Sequence, residues 1–196
     1  LPESISFTDA AALGLAGTAA QGVIEGAALE PGNTIVVIGA TGGVGNQVVQ
    51  LAARAGARVI ATAHTDAERE LVTRIGADAT VDHTGDLSAQ IRQIAPNGVD
   101  AVAHLAGDPS AVAVIRDGGR FVSTLVQSPD QVPIQTASVV PVYANPTREI
   151  LDQLAQMVST GQITVTVQQV FPLQQTHAAL AAFGQGTLGK LVITTD

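Results

Sequence analysis

The residues of this chain best suited to chemistry are Gly39, Gly42 and Gly45, spaced GxxGxxG within Gly39-Ala40-Thr41-Gly42-Gly43-Val44-Gly45. Read from Ala40, this is the G-x-G-x-x-G pattern with alanine in the first place. Small residues at such a turn let the chain leave a strand sharply, let a pyrophosphate approach the backbone and let helix and strand pack closely. The apolar run Thr34-Ile35-Val36-Val37-Ile38 leads in, and the spacing predicts a helix from Gln47 onward. Such a helix aims its free N–H groups and positive dipole end at phosphate. Arg58-Val59-Ile60-Ala61-Thr62-Ala63 reads as the next strand, giving the strand–helix–strand unit of about 30 residues that the pattern requires.

Other chemistries fit poorly. Tyr143 is the only tyrosine and Thr147 stands four residues on, so there is no Tyr-x-x-x-Lys dyad. Lys190 is the only lysine, and Asn46 after Gly45 excludes a P-loop. His64, His83, His104 and His177 show no HExxH or i, i+4 pairing, and cysteine is absent, so no metal site is expected. His104, at the mouth end of a central strand, is the best general-acid candidate, although a hydrogen-bonded structural histidine is the stronger reading. Ser123 and Thr124 read as amide ligands or loop caps rather than nucleophiles. No catalytic residue is assigned.

Nine Lys and Arg against seventeen Asp and Glu leave a net charge of −8, with no basic patch to neutralise a nucleic acid. The apolar fraction is 46%, yet no run of eighteen apolar residues occurs, so no membrane span is expected. No signal peptide is visible, and the cysteine-free composition fits a cytoplasmic protein. The chain begins at Leu1 and is read as a piece of a longer protein.

The elements that must position the glycine turn follow in order. A small-residue helix within 1–29 takes Ser6 or Thr8 as its cap. After the second strand come a helix Asp66 to Ile75 closed by Gly76, a strand Ala79 to Asp82 and a helix Leu87 to Ala95. Then follow a strand Val99 to Leu105, a short helix Pro109 to Ile115, a strand Arg120 to Thr124 and a sixth strand within Ala137 to Val142. Short apolar strands separated by helices predict an α/β fold, a doubly wound parallel sheet with helices on both faces. Residues 1–146 make that core. In 147–196, a helix Arg148 to Ser159, a strand Ile163 to Val170, a helix Leu173 to Phe183 and a strand Lys190 to Thr194 either extend the sheet or form another unit.

Several ordered pieces then carry a resemblance. They are Leu1-Pro2 leading to Phe7-Thr8-Asp9-Ala10-Ala11-Ala12-Leu13, Ala40-Thr41-Gly42-Gly43-Val44-Gly45, Ile75-Gly76-Ala77-Asp78 and Gly98-Val99-Asp100. They continue with Gly118-Gly119-Arg120-Phe121-Val122, Phe171-Pro172-Leu173 and Gly189-Lys190-Leu191-Val192. The chain resembles the cofactor half of the zinc-independent medium-chain dehydrogenase/reductases, in the quinone oxidoreductase (zeta-crystallin-like) branch. The resemblance implies a Rossmann fold and a substrate domain that precedes Leu1 in relatives and against which 147–196 would pack. It also implies sheet-to-sheet dimers through the sixth strand, an apolar edge in a monomer, although Pro141 must sit where no ladder N–H is needed.

By the same resemblance Thr41, Gly42, Gly43 and Val44 surround the pyrophosphate, and Gly39 and Gly45 of the same turn belong to the cofactor-binding set. Leu105, Ala106 and Gly107 line the ribose and nicotinamide path, and Ser123, Thr124 and Leu125 face the nicotinamide amide. NAD sites usually hold the ribose 2′-OH with an acid at the end of the second strand, where this chain has Ala63-His64-Thr65. His64, Thr65 and Arg69 could donate to a 2′-phosphate, which favours NADPH, with NADH the alternative. Against this, Glu68 and His83 stand where NADPH-using relatives often carry Lys and Tyr, and Arg69 could merely pair with a helix neighbour. Gln21 and His104 also depart from the family, which has an aromatic and Asp or Asn there.

Three functions compete at this point. One is an NADPH-dependent oxidoreductase acting on a quinone, an enone or a related carbonyl compound. The others are a dinucleotide-binding or dimerising module without chemistry, and an enoyl-reductase segment of a larger synthase.

Overall fold

Short β-branched runs, apolar at successive positions, build the centre of the molecule. In the computed structural model, which describes residues 2–195, six of them are strands: β1 Thr34–Ile38, β2 Arg58–Thr62, β3 Ala79–Val81, β4 Val99–His104, β5 Ile115–Ser123 and β6 Ser138–Pro141. All pair in parallel in the order β3-β2-β1-β4-β5-β6. Leu1, the first residue of the matching Leu1-Pro2 pair, and Asp196 lie outside the described residues. The order reverses between β1 and β4, whose last residues Ile38 and His104 stand side by side. In open α/β sheets the crevice at this reversal is where ligands bind.

The described residues form six α-helices: α1 Phe7–Ala27, α2 Gly43–Arg54, α3 Asp66–Arg74, α4 Leu87–Ile94, α5 Arg148–Ser159 and α6 Thr176–Phe183, the last packing on the C-terminal strands rather than on this sheet. Successive residues of β1 serve opposite faces. Ile35 and Val37 join the core under α1 and α2, with Leu154 and Ile163, while Val36 and Ile38 join the other, with Ile91 and Phe121. Both faces are therefore buried, as a doubly wound sheet requires. The small residues of α1 bring it close to the sheet: a Cβ on Gly26 would stand 3.0 Å from Val122.

Several expected boundaries move. Helix α2 starts at Gly43 rather than Gln47, so three glycine-turn residues form its first turn. Residues Pro109–Val114 form a 3₁₀ helix, and β5 begins at Ile115 and runs through Gly118-Gly119 with a register shift against β4. Another 3₁₀ turn, Leu173–Gln175, precedes α6. The strand expected from Ile163 forms only as β7 Val167–Pro172, because α2 claims the backbone before it. Gln50 accepts from Thr164 N at 2.7 Å, Gln47 and Gln50 donate to Thr164 O at 2.9 and 3.0 Å, and Asn46 donates to Thr166 Oγ1 at 3.1 Å.

The tail does not extend the main sheet. Strand β7 pairs in parallel with β8 Lys190–Thr194 as a separate two-stranded sheet, bridged to the glycine turn between Gly42 and Gly189. Among the described residues no helix is long and apolar enough to cross a membrane.

Candidate functional site

The glycine turn leaves β1 at Gly39 with φ +83°, a left-handed conformation that favours glycine, and a Cβ there would stand 2.9 Å from Ala106 Cβ. At Gly45 a Cβ would lie 2.7 Å from Ala40 Cα, so this glycine permits the close helix–strand packing. Gly42 differs. Its φ of −71° suits any residue, and a Cβ would meet only Gly39 O, at an ordinary 3.5 Å. Packing within the chain does not demand glycine at 42, and the space outside it is free for a ligand's close approach.

The start of α2 differs from those of four of the other helices in the same sense, and shares with α6 the lack of a side-chain cap. Helices α1, α3, α4 and α5 begin with a side chain, Ser6, Thr65, Asp86 or Thr147, that accepts a first-turn N–H. No side chain caps α2. Its first-turn donors and dipole end are thus left to face an anion.

Sequence reasoning assigned no role to Thr62, at the end of β2. Its Oγ1 accepts from Gly39 N at 2.9 Å and Ala40 N at 3.4 Å and donates to Val37 O at 3.3 Å, fixing the turn. A threonine at a strand end, one strand over from a glycine turn, was the available signal. Lys190 was also missed. Gly189 N donates to Thr41 O at 2.7 Å, which brings β8 to the turn, and the Lys190 stem lies against Gly43. The single lysine of the chain therefore stands beside the uncapped helix end.

Two hollows meet at Gly39. One, of about 340 Å³, is lined by Gly42, Gly43, Val44, Gly45, Leu105, Phe183, Thr187 and Lys190, among others. The other, of about 600 Å³, runs past Thr41, Thr62, His64, Thr65, Glu68, His83, Ala106, Gly107, Asp108 and Gln185 to Thr187. Together they form a cleft at the mouth of β1 and β4. A third hollow of about 460 Å³, by Arg54, Arg74 and Gly161, lies at the other end of α2.

Thus Gly39, Thr41, Gly42, Gly43, Val44, Gly45, Leu105, Ala106, Gly107, His64 and Thr65 come together around one cleft. Arg69, Ser123, Thr124 and Leu125 do not line it. Arg69 pairs with Asp66 at 3.0 Å, as a helix neighbour would. Ser123 is fully buried, and its Oγ accepts from Leu125 N at 3.0 Å and Val126 N at 3.3 Å while meeting His104 Nδ1 at 2.9 Å. His104 is 2% exposed, its Nε2 is 3.2 Å from Gly107 O, and its ring packs on Phe121. Burial pushes its pKa below the ordinary histidine value. His104 is a buried strut between two loops rather than an acid at the surface of the cleft.

At the far end of the cleft Thr65 caps α3 in a capping box with Glu68. The Glu68 carboxylate accepts from His64 N at 2.5 Å and Thr65 N at 3.0 Å. The His64 ring donates to Asp82, with Nδ1 3.0 Å from both carboxylate oxygens. The Thr84 backbone N–H, the His64 ring and the Thr84 hydroxyl hold the Asp82 carboxyl well below the usual carboxylate range.

A cleft at the sheet reversal, a glycine turn and an uncapped helix are the parts of a dinucleotide site. The family model described as "Zinc-binding dehydrogenase" matches residues 43–143. The chain belongs to this family, as a medium-chain dehydrogenase/reductase cofactor domain. Members of the family similar to this chain are oxidoreductases and dehydrogenases. A phenolphthiocerol/phthiocerol polyketide synthase protein of Mycobacterium tuberculosis is 30% identical over 217 residues, 99% of this chain and 10% of that protein. The chloroplast envelope quinone oxidoreductase homolog of Arabidopsis thaliana is 29% identical over 210 residues, 98% of this chain and 63% of its own length. Among solved structures, the CurK enoyl reductase superposes with a TM-score of 0.85 at 28% identity, covering 99% of this chain and 64% of that one. The chain thus spans less than two thirds of each of these family relatives. Family members bind nicotinamide dinucleotides. Among the described residues no group of three or more His, Cys, Asp or Glu could hold a metal ion.

Proposed function

We propose that this chain is the cofactor domain of a reductase that delivers hydride from a nicotinamide dinucleotide to a quinone, an enone or a related carbonyl acceptor. The observation that carries this reading is the pairing of an uncapped α2 N-terminus with a Gly42 whose open side is not needed by the fold. Gly43 and Val44 would hold the pyrophosphate through backbone N–H groups, with Gly42, whose own N–H donates to Gly39 O at 3.2 Å, letting it approach and the Lys190 ammonium beside them. Leu105, Ala106 and Gly107 would line the path toward the nicotinamide. When bound, the dihydronicotinamide supplies a hydride to an electrophilic carbon, and a proton completes the reduction. Ser123 and His104 hold the two loops past which that end of the cofactor would lie.

The acceptor would be presented by a further domain. Leu173, Leu180 and Phe183, on the outside of the C-terminal unit, are 52%, 63% and 67% exposed, which supports a domain packing there. We also propose a homodimer joined through the edge strand β6, where Pro141 pairs with Ser123 of β5. Sedimentation as a monomer would remove that part of the reading.

A second reading, an enoyl-reductase segment of a larger synthase, is favoured by the similarity to the mycobacterial synthase along 99% of this chain. The two readings differ in acceptor. The protein carrying this chain with its native flanking sequence is mixed with NADH or NADPH and a quinone, an enone or an enoyl thioester, following loss of dihydronicotinamide absorbance. Quinone or enone turnover supports the first reading, and turnover of the enoyl thioester alone supports the second. Tight dinucleotide binding with no turnover of any acceptor leaves a binding module and removes both.

A further inference from the structure

Resting on the dinucleotide reading, we propose that this cleft selects the cofactor without a 2′-phosphate, NADH over NADPH, and that Glu68 and Asp82 make the selection. The lining of the 600 Å³ hollow includes the carboxylates of Glu68 and Asp108 and no Lys or Arg. The backbone donors that a 2′-phosphate would seek at the start of α3 are already occupied. His64 N and Thr65 N both donate to Glu68 Oε2, at 2.5 and 3.0 Å, so a carboxylate sits where the phosphate would need to be. Of the three basic side chains nearby, Arg69 and His64 are paired, and His83 is the third, on the lining. Arg69 faces Asp66 at 3.0 Å and Asp82 at 4.0 Å, and the His64 ring faces Asp82 at 3.0 Å.

A phosphate monoester brings a charge of roughly −1.5 to −2 at neutral pH. Here it would meet Glu68 on the lining and would compete with the capping box for the His64 and Thr65 N–H groups, while Asp82 holds the His64 ring. A ribose 2′-OH is a donor and a small neutral group, and the ionised Glu68 carboxylate can accept from it without leaving its place. The acid missing from the end of β2 is thus supplied from the N3 position of α3, with Asp82 at the end of β3 holding His64 aside. Sequence spacing pointed to the cations His64 and Arg69. The structure adds the acids that neutralise them.

The test is a titration of the whole chain with NADH and with NADPH, read by nicotinamide fluorescence, in the natural protein, Glu68→Gln and Asp82→Asn. Glutamine can also serve in a capping box, so Glu68→Gln removes the charge and keeps the helix start. The natural chain is expected to bind NADH at least about tenfold more tightly, the equivalent of one close unscreened like-charge contact. Glu68→Gln should tighten NADPH severalfold and weaken NADH, whose 2′-OH loses its carboxylate acceptor, while Asp82→Asn should tighten NADPH severalfold and change NADH little. Equal or tighter NADPH binding by the natural chain overturns the selection and leaves the dinucleotide reading standing. A preference for NADH that neither variant changes overturns the assignment to these two acids. Binding of neither cofactor overturns the selection together with the dinucleotide reading.

Discussion

Ser123 Oγ lies 2.9 Å from His104 Nδ1 and already accepts two backbone N–H groups, from Leu125 and Val126. Its own proton must therefore point at Nδ1, and His104 must carry its proton on Nε2, donating to Gly107 O at 3.2 Å. The ring is neutral and satisfied on both sides. It joins the loop after β4 to the loop after β5, the two loops at the mouth of the cleft.

A pH dependence follows from that neutrality. Burial lowers the folded-state pKa of His104 below its unfolded value, so the unfolded chain binds the extra proton first. The stabilisation is whole above the ordinary histidine range and is lost as pH falls through the folded-state value. Unfolding by denaturant across this range should show stability falling with acid. In His104→Asn, the part of the slope near the ordinary histidine pKa should flatten.

Ser123→Ala removes one donor to His104 and one acceptor for two buried amides. A loss of about 1–3 kcal/mol in unfolding free energy is expected, from leaving buried polar groups unpaired. Denaturant unfolding of the variant measures it.

Thr62→Val deletes the hydroxyl that fixes Gly39 and Ala40 while keeping the shape of the side chain. The same accounting gives about 1–3 kcal/mol of lost stability. Dinucleotide affinity should fall as well, because the turn is no longer held from β2. Calorimetric titration beside a thermal melt separates the two effects.

Lys190→Ala should leave folding nearly intact and weaken dinucleotide binding about tenfold, the scale of one charge-assisted hydrogen bond. A titration at two salt concentrations would show the difference narrowing as salt rises.

Much of the fold was legible because its signals are local. The runs Thr34–Ile38 and Val99–His104, the cap at Ser6 or Thr8, which is Ser6, and the Gly39–Gly45 spacing all lie within a few residues of what they dictate. What could not be read depends on distant chain. Gln50 of α2 binds Thr164 and so delays β7, although 114 residues separate them. Lys190 reaches Gly43 only because β8 is bridged to the turn through Gly189. Ser123 carries the right side chain for an amide ligand, but its hydroxyl is spent on His104 and the loop backbone, a commitment its neighbours in sequence do not reveal. The helix-neighbour reading of Arg69 agrees with its Asp66 contact, while the Asp82–His64 pair joins the ends of two strands and had no signature in spacing.

Gly45→Ala and Gly42→Ala separate a folding role from a ligand role within one motif. At Gly45 the added methyl would collide with Ala40 and the Gly39 carbonyl, and a loss of several kcal/mol or failure to fold is expected. At Gly42 the backbone suits alanine and the nearest atom is 3.5 Å away. Stability there should change by no more than about 1 kcal/mol, the scale of a helix N-cap exchange.

The most direct measurement is a calorimetric titration of Gly42→Ala with NADH, beside the natural chain and with a thermal melt of each. A near-native melt with binding weakened at least about tenfold, or 1.4 kcal/mol, is the predicted result for a site where pyrophosphate rests against Gly42. Unchanged affinity in a well-folded variant would contradict the account, because the free side of Gly42 would then face no ligand.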